Sequence, residues 1–100
     1  MTKNENLLVT LMEECAELQQ AVSKALRFGM DSCHPRHQER NNERDIMLEY
    51  YQLVSVMGML ISGNVLHEFS PVDKALVKTQ KKINVTWHQE ISKAAGHIKD

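Results

Sequence analysis

Leu11-Met-Glu-Glu-Cys-Ala-Glu-Leu-Gln-Gln-Ala-Val-Ser-Lys-Ala-Leu-Arg-Phe-Gly29 reads as one long amphipathic helix. Leu8, Leu11, Cys15, Leu18, Val22 and Leu26 recur every three or four residues, which stacks them in one stripe. At about 100° per residue, Glu13, Glu14 and Glu17 fall within an arc of roughly 100° on the other side. Lys24 and Arg27 continue that acidic stripe toward the C-terminus. Three carboxylates with cations one to three turns further on suit a bound metal–phosphate. They also suit an ordinary solvated helix face, which on this stretch alone is the first reading.

Working outward, the periodicity predicts a first helix over residues 5–28, with Gly29 as a left-handed C-terminal cap. Residues 30–42 show no periodicity and contain Pro35, so they form a long polar connection. Cys33, His34 and His37 within it lack a fourth ligand at zinc-site spacing. Asn42 is the expected N-cap of a second helix that ends near residue 62, with Glu43 and Asp45 in its first turn. Ile46, Leu53, Val56, Met57 and Leu60 mark its buried face. Ser70, Pro71 and Asp73 then open a third helix that ends at Gly96. Its apolar stripe is Val72, Leu76, Thr79, Ile83, Trp87 and Ile91, and Lys74, Lys78 and Lys82 share another face. With no strand pattern and no repeat, the fold class is all-α: a helical bundle of three main helices in a single domain, 1–100.

Several function classes have little support in the composition. The formal net charge of −1 supplies no basic field for nucleic acid or an anionic membrane. No apolar run approaches the roughly 20 residues of a membrane span, and the polar opening Met-Thr-Lys-Asn-Glu-Asn has no signal-peptide core. Cys15 and Cys33 do not make a disulfide framework, so a cytoplasmic location is expected. A chain of 100 residues buries a limited core by itself, so its long helices favour a homodimer or homotetramer.

One residue breaks the pattern of the second helix. Glu49 projects into the middle of the apolar face, with Ile46 and Leu53 within roughly 60° and Val56 and Leu60 within about 20°. An isolated carboxylate there costs several kcal/mol unless it is paired, protonated or metal-bound. No cation shares that face, because Arg44 points well away. Two explanations stand side by side. Either a Lys or Arg from another helix pairs with Glu49 or its side chain reaches water at a helix end, or Glu49 faces Glu14 and Glu17 and a divalent cation makes the cluster tolerable. Asp45, one turn earlier, reads first as a capping residue.

Glu13-Glu14-Cys-Ala-Glu17, followed after a loop by Asn42-Glu43-Arg44 and Leu48-Glu49-Tyr-Tyr-Gln52-Leu53, resembles the MazG-like all-α nucleoside triphosphate pyrophosphohydrolases. Their hallmark is EExxE on one helix and ExxD on the next. The run Ser23-Lys24-Ala25-Leu26-Arg27-Phe28-Gly29 is similar to the continuation in small phage-type members. The likeness extends from about Leu7 to Met59. It implies Mg²⁺, or Mn²⁺, held by Glu13, Glu14, Glu17, Glu49 and Gln52, and hydrolysis of a (d)NTP to (d)NMP and pyrophosphate. Glu14 or Glu17 would orient the attacking water, and Lys24, Arg27, Lys78 and Lys82 would hold the departing pyrophosphate. Each lysine also reads as part of a solvated face. Gln52 departs from the family pattern, since it offers a neutral carbonyl oxygen where an aspartate belongs. A degenerate, non-catalytic homologue that binds a nucleotide or a partner is therefore the alternative. A plain helical interaction module is a third class.

Overall fold

The computed structural model describes every residue, Met1–Asp100, and contains three helices: α1 (Lys3–Phe28), α2 (Asn42–Ser62) and α3 (Pro71–Ala94). It is all-α, with one isolated bridge between Cys33 and Asn41 in place of any strand. The chain divides into two compact units, Met1–His67 with α1 and α2, and Glu68–Asp100 with α3.

Helix α1 starts two residues before the expected position because Thr2 closes a capping box. Its hydroxyl accepts from the Glu5 N–H at 3.1 Å, and the Glu5 carboxylate accepts from the Thr2 N–H at 3.2 Å. Gly29 ends the helix, its N–H donating to the Ala25 carbonyl at 2.9 Å. Its φ is positive as expected, but φ 97° with ψ 151° lies in the extended glycine-only region, not the left-handed helical one. The chain thus leaves α1 stretched out and enters a loop that folds back on itself.

That loop fastens the start of α2 to the end of α1. The Asn42 side-chain amide donates to the Gly29 carbonyl at 2.8 Å, and the N–H groups of Asn42 and Glu43 reach the carbonyls of Ser32 and Met30. Asn42 is thereby occupied, and the N-cap is its neighbour Asn41, whose side-chain oxygen accepts from the Arg44 N–H at 2.8 Å. The cap therefore falls one residue earlier than expected, because the bond to Gly29 engages Asn42.

Helices α1 and α2 then pack as an antiparallel pair. The least exposed positions of α1 include Leu7, Leu11, Glu14, Leu18, Ala21 and Ala25, spaced alternately by four and three residues. On α2 they include Ile46, Glu49, Leu53, Val56 and Leu60, with the same alternation. This is the spacing of knobs-into-holes seams. It corrects the stripe expected on α1. Leu11 and Leu18 belong to the seam, but Cys15 is exposed, Val22 is 39% exposed and Leu26 84%. Ala21 and Ala25 replace the last two because small side chains let the α2 backbone approach closely. Glu14 consequently moves from the polar face into the seam.

The apolar stripe of α3 is also not a core. Val72, Leu76, Ile83, Trp87 and Ile91 are all exposed, and no α3 residue is buried. The physical reason is that its unit holds a single helix and no second element to cover it. The N-terminus of α3 is as expected, with Ser70 Oγ accepting from the Asp73 N–H at 3.1 Å and Pro71 at the first helical position.

Candidate functional site

The α1–α2 seam carries leucines and alanines at most levels and carboxylates at one. Glu14, Glu17 and Glu49 each bring a carboxylate oxygen to within 4.8 Å of the others. Glu14 and Glu17 are one turn apart on α1, so their side chains lie on adjoining parts of one face. Glu49 approaches from α2 at the same level because Asn42, bonded to Gly29, sets the register of the pair.

Electrostatically this is an uncompensated cluster. Glu14 Oε2 and Glu49 Oε2 are enclosed and have no hydrogen-bond partner. The ion pairs of the molecule are His37–Glu39, Arg40–Asp45 and Lys74–Glu68, and none involves the three glutamates. Between the two explanations for Glu49, a Lys or Arg from another helix is not what the structure contains. Burial pushes the Glu49 carboxyl above its ordinary value, and the charge of Glu17, a carboxyl–carboxylate contact with it, and the charges of Glu14 and Asp45 add to the shift.

The remaining sequence-derived residues are distributed unevenly. Glu13 is exposed and stands outside the group of three, since it lies 100° round the helix from Glu14, on the solvent side. Gln52 is exposed. Lys24 lines a polar pocket of about 400 Å³ together with Glu17, Glu49 and Asp45. Arg27 does not line that pocket; its guanidinium lies over the Phe28 ring, 5.0 Å from the centroid. Lys78 and Lys82 are exposed residues of α3. Cys33, His34 and His37 form no group of three potential ligands.

Arg40 and Asn42 are among the pocket residues that were not foreseen. Arg40, at the end of the loop, donates to Asp45 Oδ1 from Nε at 3.3 Å and from Nη2 at 3.1 Å, and lines the pocket. Asp45 is therefore an ion-pair acceptor as well as a first-turn acid. Asn42 lines the pocket too. An arginine in a loop without periodicity carries no sequence signal of where the loop's fold will bring it. Comparison with known protein families, with curated proteins and with solved structures found no match to this chain.

Three carboxylates, two of them with an enclosed oxygen that lacks a donor, form an all-oxygen, anionic site of the kind that hard divalent cations occupy. The donor set fits Mg²⁺ or Mn²⁺ chemically: the lone pairs are present, and none of the molecule's ion pairs involves the three glutamates.

Proposed function

We propose that the chain is a Mg²⁺-dependent nucleoside triphosphate pyrophosphohydrolase of the MazG-like kind, converting a (d)NTP to (d)NMP and pyrophosphate in the cytoplasm. The observation that carries this reading is the convergence of Glu14, Glu17 and Glu49 in an otherwise apolar seam, with two enclosed carboxylate oxygens and no cationic partner. A purely structural cluster of this kind would be a net cost to folding, because like charges repel and desolvation penalises each.

Glu14 and Glu49 would hold the cation, which when bound neutralises phosphate charge and lowers the pKa of a coordinated water. Glu17, the exposed member of the three, would accept a proton from the attacking water. Lys24, on the same wall of the pocket, would take the departing pyrophosphate as a point charge, and Arg40 offers the forked donor that suits a phosphate. The apolar residues above and below the carboxylates on the seam keep bulk water away from the metal-side oxygens.

A second reading is favoured by Gln52, which places a neutral amide where the family pattern has an acid. Under it the cluster binds a metal–nucleotide and does not turn it over. Incubation of a nucleoside triphosphate panel with Mg²⁺, read as pyrophosphate release, separates the two. Release abolished by Glu17→Gln supports hydrolysis. Mg²⁺-dependent nucleotide binding without release supports the second reading, and no Mg²⁺-dependent thermal stabilisation would sink both.

A further inference from the structure

A second cavity of about 510 Å³ opens beside the carboxylate pocket, between the end of α1 and the loop. The two are contiguous: Lys24, Arg40, Asn42 and Asp45 line both. Its volume is that of small-molecule sites, which run about 300–1,000 Å³. Beyond the shared polar residues, its wall includes the flat rings of Phe28, His34 and His37, with Pro35 between the imidazoles in sequence. The imidazoles of His34 and His37 lie 5.8 Å apart and tilted, while Phe28 is 59% exposed with Arg27 over its ring. The loop's backbone N–H groups at Ser32, His37, Arg40 and Asn42 are spent on bonds to Gly29, His34, His37 and Ser32. The cavity therefore offers ring faces more than backbone donors.

We infer that this loop cavity seats the nucleoside half of the triphosphate, its base stacked on Phe28 and the His34–His37 pair, while the phosphates extend past Lys24 and Arg40 to the three glutamates. The inference rests on the proposed nucleotide chemistry of that cluster. A nucleotide has an anionic end and a planar end, and the paired cavities have a metal-binding end, a cationic divide and a ring-lined end in the same order. Tyr50 and Tyr51, the tyrosines of the same unit, do not line the cavity. Ring-on-base stacking is worth about 1–3 kcal/mol per base, equivalent to about 5- to 150-fold in affinity.

The test uses the full chain, Mg²⁺ and two probes measured by calorimetry: a non-hydrolysable α,β-methylene triphosphate nucleotide and inorganic tripolyphosphate. The unaltered protein is expected to bind the nucleotide more tightly than tripolyphosphate. Phe28→Ala should weaken the nucleotide about 5- to 150-fold and leave tripolyphosphate unchanged, whereas Phe28→Tyr, which keeps the ring, should retain both. Equal affinity of the unaltered protein for the two probes, or a Phe28→Ala variant that loses neither or both alike, overturns the inference and leaves the proposed function standing. Failure of the unaltered protein to bind either probe overturns the proposed function and this seat together.

Discussion

Glu49 is where the two readings of the site predict opposite thermodynamics. As a metal ligand with no protein cation beside it, Glu49→Gln removes a costly charge and keeps the shape, so the metal-free fold should be about as stable or more so. Turnover and the Mg²⁺-dependent gain in Tm should both vanish. Half of a buried ion pair would behave differently, losing about 3–5 kcal/mol on the same change. Thermal melts with and without Mg²⁺ decide it. The raised Glu49 carboxyl also fixes the sign of a pH effect. The folded state binds this proton more tightly than the unfolded chain does. Its contribution is therefore fully present below the ordinary carboxylate value and is lost as pH rises through the raised one. Metal-free protein should accordingly lose stability as pH climbs over that window, and Glu49→Gln should flatten the loss. Denaturant midpoints followed from the ordinary carboxylate value upward in pH would refute this if the two variants ran parallel. Gln52 supplies a separate test. Gln52→Asp should tighten Mg²⁺ binding if the side chain reaches the cation, and an unchanged Mg²⁺ titration would show that it points elsewhere.

Among the elements, the junction between α1 and the loop carries the most structural consequence. Gly29 has φ 97° and ψ 151°, a conformation that only glycine adopts without strain, and a Cβ built there meets nothing within 4 Å. Gly29→Ala should thus cost about 1–3 kcal/mol through the backbone alone and not through a clash. Because the Gly29 carbonyl holds the Asn42 amide, the same change should loosen the register of α2 and lower Mg²⁺ affinity. Chemical denaturation and Mg²⁺ titration of this variant would show it, and an undisturbed stability would mean the turn relaxes freely. The seam itself shows why small residues matter to an anionic site. Ala21 and Ala25 are 7% and 6% exposed and bring α2 close, so Glu14 and Glu49 face each other across a narrow gap.

For the molecule as a whole, the buried apolar set is Ala21, Ala25, Val56 and Leu60. A second line on α1, Leu8, Met12, Val22 and Leu26, stays exposed, as do Val72, Leu76, Ile83, Trp87 and Ile91 on α3. Apolar lines of this length mark interaction surfaces. We therefore expect a homodimer or homotetramer, with Leu26→Glu and Ile83→Glu shifting it toward monomer. Sedimentation at micromolar concentration checks this; a folded monomer for the unaltered chain would sink it. No helix is long and apolar enough to cross a membrane.

Local chemistry in the sequence was sufficient for the helices. Periodicity, the Ser70–Pro71 start and the end of α2 at Ser62 all depend on neighbours within a turn or two, where propensity and capping act. Glu49 was legible for the same reason, as a charge out of place on its own helix. Which face of α1 is buried was not legible, because Leu11 and Leu18 serve two overlapping stripes and only the approach of α2 against Ala21 and Ala25 selects one. That selection moved Glu14 from the polar face into the seam and left Glu13 in solvent. Arg40 and the ring-lined cavity belong wholly to the tertiary structure. They arise from hydrogen bonds between Gly29–Ser32 and Asn41–Glu43, across a loop whose own residues carry no repeating pattern.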